Sequence, residues 1–136
     1  INNVTIIDDY AHHPVEISAV LQAARNSCKG KVYAVMQPHR YSRLKRFLTD
    51  FAESLELSDG VFIAPIYSAG EQSNGVSHLD LLKVLEGNGN IPAVLVEDVE
   101  KLRSYIGTQL TPGDFVVFLG AGDITHWAYK FADLIR

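Results

Sequence analysis

Cysteine is nearly absent from the 136 residues. Cys28 stands alone, so the chain can form no internal disulfide and no thiolate metal site. A solitary thiol suits a reducing compartment, and the expectation is a cytoplasmic protein. Long apolar runs are absent too: no stretch approaches the roughly 18 residues of a membrane-spanning helix. The N-terminus lacks the basic-then-apolar pattern of a secretory signal. Positive charge is in short supply, with 12 Lys and Arg against 16 Asp and Glu and a net charge of −4. That balance argues against a general nucleic-acid binder, which is usually basic. Internal repeats, low-complexity tracts and linker-like stretches are missing. The chain opens on Ile1-Asn2-Asn3 and heads at once into a strand, without a methionine, and so reads as a piece of something longer.

What is present is ordinary for one globular domain: 47% apolar and 21% charged residues, and enough length to bury a core. Apolar periodicity alternates between strand and helix. Val4 to Ile7 predicts a first strand, and Pro14 fits the first position of a helix whose face is Ile17, Val20, Leu21 and Ala24. Lys31 to Met36 is the second strand. Leu44, Phe47, Leu48, Phe51, Ala52 and Leu55 predict a single amphipathic helix. Val61 to Ile66 is the third strand, and Ser77 with Asp80 resembles a capping box that opens a helix ended by Gly87-Asn88-Gly89. Ala93 to Val96 is strand four, followed by a helix carrying Val99, Leu102, Ile106 and Leu110. Phe115 to Leu119 reads as a strand buried on both faces. A last helix carries Ile124, Trp127, Ala128, Phe131 and Ile135, with Trp127 expected in the core. Five strands alternating with five helices imply an α/β, Rossmann-like domain, a mostly parallel sheet with helices on both faces.

In such a sheet ligands bind outside the carboxyl ends of the strands. The unusual residues fall there, in Asp8 to Pro14, Gln37 to Arg43, Tyr67 to Glu71 and Gly120 to Asp123. Arg40 and Arg43 lie at or just inside a helix start, where the macrodipole opposes cations. A carboxylate or phosphate held jointly by the guanidinium groups and helix amides would answer them. A solvated basic run through Lys45 and Arg46, or an ion pair with Asp8 or Glu71, is the plainer alternative.

The first loop stays open between several readings. A carboxylate there can accept ribose hydroxyls, the two Asp and two His could meet a metal, or Asp8 or Asp9 simply caps a turn. Adjacent side chains on an extended segment diverge, which weakens the metal reading, and His13 is read as an ordinary residue before the helix. Gly120-Ala121-Gly122-Asp123-Ile124-Thr125 begins like a dinucleotide fingerprint but lacks the third glycine and a following strand. It is either a tight turn with amides facing a ligand or a plain helix start. Tyr67 and Glu71 can reach the rim but are common surface residues, and His78 and His126 are given no role. No G-x-x-x-x-G-K-[ST] loop occurs, so the chain has no phosphate cradle of its own.

Taken together, Asp9-Tyr10-Ala11-His12 with Pro14 resembles the Asp-x-Ala-His-x-Pro segment of the Mur ligases and folylpolyglutamate synthases. The doubled Asp8-Asp9 and His12-His13, with Gln37-Pro38-His39-Arg40-Tyr41-Ser42-Arg43, resemble the alanine-adding branch of the Mur ligase family. Tyr67 to Glu71 and Gly120 to Ile124 are similar to its later loops. A recycling branch that attaches a tripeptide shares the first segment and differs in the second. The resemblance implies that residues 1–136 are one domain, the C-terminal, amino-acid-binding and ATP-closing part of a three-domain enzyme. The UDP-binding domain and the central phosphate-loop domain, which would hold most of the ATP and Mg2+ contacts, would lie elsewhere. The implied reaction has ATP phosphorylate the UDP-N-acetylmuramate carboxylate, and the amine of L-alanine then attacks.

By the same resemblance Asp9 accepts the ATP ribose hydroxyls and His12 lies near the reacting groups. Arg40, Arg43 and His39 hold the alanine carboxylate or steady transition-state charge. Tyr10 lines the cleft, and Gly120, Ala121 and Gly122 offer amides to substrate. No residue is expected to ligate a metal, and the fragment alone is expected to be inactive. Two rivals come from other classes. A receiver domain would need an Asp ending strand three and a Lys ending strand five, where this chain has Ala64-Pro65-Ile66 and Leu119-Gly120. A free-standing nucleotide-binding module would have to bind ATP well by itself.

Overall fold

The computed structural model describes residues 3–73 and 75–135, and the opening Ile1-Asn2 pair lies outside them. Its elements run β1 (Thr5–Asp9), α1 (Pro14–Ser27), β2 (Val32–Met36), α2 (Tyr41–Arg46), α3 (Leu48–Leu55), β3 (Gly60–Ile63), α4 (His78–Asn88), β4 (Ala93–Leu95), α5 (Val99–Ile106), β5 (Phe115–Leu119) and α6 (Ile124–Leu134). The five strands form one sheet in the order β1-β5-β2-β3-β4, and every pairing is parallel.

Side chains alternate between two faces, as strand geometry demands. Val32, Ala34 and Met36 of β2 and Val117 and Leu119 of β5 join Ile17, Leu21, Leu44, Phe51 and Leu85 on one side. Tyr33, Val35, Val116 and Phe118 face Leu102, Ile106, Ile124 and Phe131 on the other. Helices α1 to α4 therefore cover one face and α5 and α6 the opposite one. The central strand β2 is buried along its whole length, which explains its unbroken apolar sequence. Trp127 is half-buried, packed against the second cluster rather than sunk in it.

The predicted Leu44–Leu55 helix is two helices. Phe47, at φ −116° and ψ 25°, leaves helical geometry, and its ring turns to meet His13 edge-on at 4.7 Å. The amide of Phe47 still donates to Arg43 and its carbonyl accepts from Phe51, so the chain kinks without losing those bonds. The described helices thus number six rather than five. Strand three ends at Ile63, short of the predicted Ile66, because Pro65 has no N–H for a ladder.

The end of the sheet opposite the site is closed by two acids, Asp114 buried and Asp59 half-buried. Asp114 accepts from the Lys31 and Thr111 amides at 2.8 and 2.9 Å. Asp59 accepts from the Val32 amide at 2.8 Å and pairs with Arg25 at 2.7 Å. Burial pushes the Asp59 carboxyl up, but the Val32 amide and Arg25 outweigh it and leave the pKa below its ordinary value.

Candidate active site

The order β1-β5-β2 makes a crevice. After β1 and β2 the chain turns to the α1–α4 face, whereas after β5 it turns to the α6 face, so the strand ends diverge around a gap. Register brings Asp9 level with Leu119 and Met36 level with Leu119 from the other side. The Gly120 amide donates to the Asp9 carbonyl at 3.2 Å, and the Gln37 amide to the Leu119 carbonyl at 3.0 Å.

The loops after β2 and β3 are joined outside the sheet by a parallel bridge between His39 and Tyr67. The Arg40 amide donates to the Tyr67 carbonyl at 2.7 Å, and the Tyr67 amide to the Pro38 carbonyl at 2.8 Å. This splice drives Arg40 to φ 65° and ψ 137°, a conformation that side-chain-bearing residues avoid. Backbone strain of this kind persists only where the surroundings over-determine it, and it clusters at functional sites.

Four rings then line up across three loops. Tyr10 meets His12 edge-on at 5.1 Å, His12 meets His39 at 5.3 Å, and His39 stacks on Tyr67 at 5.4 Å. Hydrogen bonding assigns the tautomers. His12 Nδ1 lies 2.9 Å from the Tyr10 carbonyl, to which it must donate, so in the neutral ring Nε2 carries the lone pair. Arg43 Nη1 donates to His39 Nδ1 at 3.0 Å, so the His39 proton sits on Nε2. Burial lowers the His39 pKa, and Arg43, His12 and Arg40 lower it further against a small opposing pull from Glu71. The imidazole is therefore neutral at neutral pH.

Arg40 and Arg43 share a basin of about 380 Å3 with His13, Ser42, Arg46 and Phe47. No carboxylate lines it, and among the described residues neither Arg40 nor Arg43 has an ion-pair partner. One part of the sequence expectation is overturned. The amide at the start of α2 is not free for an external anion, because Glu71 accepts from the Ser42 amide at 3.1 Å and the Ser42 hydroxyl at 2.7 Å. Those two bonds hold the Glu71 carboxyl below its usual pKa. Glu71 thus answers the helix start, and what remains for a ligand is the pair of guanidinium groups.

Beside this basin, Asp8, Tyr10, Gly120, Ala121, Gly122 and Thr125 line a groove of about 300 Å3. Both glycines are required by close contact. A Cβ on Gly120 would lie 2.8 Å from the Ile124 side chain, and one on Gly122 only 2.6 Å from the Tyr67 ring. Asp9 Oδ1 accepts from the Ala11 amide at 2.9 Å, so the carboxylate does cap its turn, and among the described residues its other oxygen has no partner. Thr125 donates its hydroxyl to Asp8.

Tyr10, His12, His39 and Arg43 are therefore in one contact chain, with Arg40 beside it and Asp9 and the glycine turn next door. His13 is outside that chain of contacts but on the wall of the arginine basin, against Phe47, and heads α1 where Glu16 accepts from its amide at 3.1 Å. Among the described residues no group of three His, Cys, Asp or Glu side chains is placed to hold a metal ion. Three participants were discounted or missed from sequence: Tyr67, Glu71 and Gln37. For Gln37 a signal existed, since a lone amide directly follows the apolar run of β2.

Comparison with known proteins bears on the family and the fold. Residues 1–122 match the family described as Mur ligase, glutamate ligase domain. UDP-N-acetylmuramate–L-alanine ligase of Agrobacterium fabrum is 49% identical over 128 residues, 93% of this chain and 27% of that protein. The chain thus spans about a quarter of the length of that relative. A crystallised domain assigned to a Haemophilus ducreyi UDP-N-acetylmuramate:L-alanyl-gamma-D-glutamyl-meso-diaminopimelate ligase superposes with a TM-score of 0.72 at 25% identity, covering 100% of this chain and 94% of that one. MurF ligase from Thermotoga maritima, solved in complex with ADP, shares the fold with a TM-score of 0.64 at 20% identity, covering 98% of this chain and 29% of that one. The family match over residues 1–122, and a relative at half identity over nearly the whole chain, place the chain in one family: it belongs to the Mur ligases, as their C-terminal domain.

Proposed function

We propose that the chain is the C-terminal domain of the ATP-dependent ligase that joins L-alanine to UDP-N-acetylmuramate, a step of peptidoglycan precursor synthesis. The observation that carries this is the contrast in identity, 49% to an alanine-adding ligase against 25% to the domain assigned to a tripeptide-adding one, each over nearly the whole chain. The reaction takes place in the cytoplasm and feeds the wall on which cell shape and division depend. Activity belongs to the whole enzyme, and this domain alone is inactive because it has no phosphate-cradling loop. That same lack disfavours a free-standing nucleotide module. In the same reading, Mg2+ is held mainly by the central domain of the full-length enzyme, together with the ATP phosphates.

In this reading Arg40 and Arg43 receive the alanine carboxylate in a basin lined by cations, with the Glu71 carboxylate engaged by Ser42 at its edge. His39, neutral and accepting from Arg43, fixes that guanidinium. Alanine's ammonium must lose a proton before its nitrogen attacks, and His12 Nε2 carries a lone pair that can take it. Asp9 offers its free carboxylate oxygen to the ATP ribose, while Tyr10 and the amides of Gly120, Ala121 and Gly122 border the same substrates. The domain's contribution is positioning.

The test is phosphate release by the full-length enzyme with UDP-N-acetylmuramate and ATP. L-Alanine should support turnover far better than the tripeptide, and Arg43→Lys should lower kcat/KM for alanine by roughly 30- to 900-fold, about 2–4 kcal/mol, with a much smaller change for ATP. Equal turnover with the tripeptide, or near-normal alanine kinetics in both Arg40→Lys and Arg43→Lys, would defeat the assignment.

A further inference from the structure

Three helices of this fold begin at a short polar residue, and one of them is capped differently from the others. Ser77 heads α4 with φ −147° and ψ 177°, and its side chain accepts from the Leu79 amide. Asp98 heads α5 with φ −153° and ψ 173°, and accepts from the Lys101 amide. Both are standard caps, with an extended backbone and a side chain turned onto the helix's own first amides. Asp123 heads α6 with φ −78° and ψ 1°, in the bridge region, and its side chain makes no cap bond.

The carboxylate is engaged elsewhere. Asp123 Oδ1 accepts from Gln37 Nε2 at 2.5 Å, across 86 residues of sequence. Gln37 is 5% exposed and also donates to the Pro65 carbonyl at 3.3 Å. Turning its amide over would set an oxygen against two oxygens, so the orientation is forced. The forced orientation leaves Gln37 Oε1 buried without a hydrogen-bond partner. Buried acceptors are seldom left so, and this one is given up to keep hold of Asp123. The same amide touches the position where a Gly122 Cβ would sit, 2.8 Å away.

We propose that Gln37 is a positioning residue that holds Asp123 off the start of α6, keeping the Thr125 amide free of a side-chain cap beside the groove of Asp8, Tyr10, Gly120, Ala121, Gly122 and Thr125. Without that hold, Asp123 relaxes to the extended backbone used by Ser77 and Asp98 and caps α6 with its own carboxylate. A negative group then occupies an amide that borders the substrates, and the Gly120–Gly122 turn shifts with it.

The test compares Gln37→Met, Gln37→Glu and the double variant Gln37→Met/Asp123→Ala in the full-length enzyme. Gln37→Glu keeps the size and, compared at a pH high enough to ionise it beside Asp123, lacks a donor, which guards against a folding failure of Gln37→Met. Either single variant should slow hydrogen exchange of the Thr125 amide, as a cap forms, and lower kcat/KM roughly tenfold. The double variant should lose the added protection and regain at least a third of the lost activity. A purely structural role for Gln37 predicts no rescue, because removing Asp123 only deletes a further contact. Unchanged exchange in both single variants, or a double variant no better than Gln37→Met, overturns the proposal. The kinetic arm rests on the ligase reading and the exchange arm does not, so an enzyme with some other substrate would still be judged on the exchange.

Discussion

Glycine in place of Arg40 should stabilise the folded chain more than alanine does at the same position. Ordinarily glycine is the worse of the two by about 0.5–1 kcal/mol, because it loosens the unfolded chain. At residue 40 the order should invert. The backbone there has φ 65° and ψ 137°, pinned by the 2.7 Å bond from its own amide to Tyr67 and by Glu71's grip on Ser42. Strain of this kind is worth about 1–3 kcal/mol, which alanine retains and glycine largely removes. Both substitutions delete a cation facing the α2 dipole, so that contribution cancels. The Arg40 side chain is exposed, so little packing is lost in either. Glycine should therefore exceed alanine by about 1 kcal/mol, a rise of roughly 3–5 °C in Tm for a chain of this size. Thermal and urea denaturation of the 136-residue chain as wild type, Arg40→Gly and Arg40→Ala would measure it. An alanine variant as stable as the glycine one would mean that the left-handed backbone is not strained, and the link from splice to strain to site would fail.

Other outcomes follow from the same coordinates. His39 has a folded pKa below its usual 6.5, so its contribution to stability is present above the unfolded value and lost as pH falls through the folded one. An imidazole titration by NMR should place His39 below 6.5, and Arg43→Met should raise it partway while burial keeps it low. Asp59 has a folded pKa below 3.8, so its contribution is present above that value and declines as pH falls through the folded pKa. Arg25→Met should flatten the loss of the urea midpoint between neutral pH and acid. Gly122→Ala should disturb the site more than the fold, because its Cβ would sit 2.6 Å from the Tyr67 ring and 2.8 Å from Gln37 Oε1. Activity of the full-length enzyme should fall by an order of magnitude or more, and wild-type kinetics in that variant would show that the turn tolerates a shift.

Much of the fold was legible because local pattern and burial coincide. The apolar runs of β2 and β5 are central strands, and Ser77 with Asp80 makes the capping box that the spacing predicts, with the Ser77 amide donating to Asp80 at 2.8 Å. The kink at Phe47 was not legible, since Leu44, Phe47, Leu48 and Phe51 keep helical spacing through it. Its cause is a ring contact with His13, more than thirty residues earlier. Strand order is likewise a long-range fact. At the site, the rule that ligands gather at carboxyl strand ends located the four loops. Glu71 was read as a common surface residue or an ion-pair partner of the arginines, because its actual partner Ser42 lies 29 residues away. The anion expected at the start of α2 exists, but the chain supplies it.

The place of β5 in the sheet has a kinetic consequence. The last strand inserts between the first and second, so β1 has no partner in the sheet until some 110 residues have followed it. Pairings so distant in sequence carry a large loop-closure cost before they return any stability, which slows folding. During synthesis β1 and the segment from Asp8 to Pro14 must wait, while β2, β3 and β4 can already pair with one another. The crevice lies on either side of β5, so it forms at the final step, together with the glycine turn that follows that strand. A nascent chain stalled before Phe115 would hold a β2-β3-β4 sheet with a vacant slot beside β2, and the first core face would still lack Val117 and Leu119.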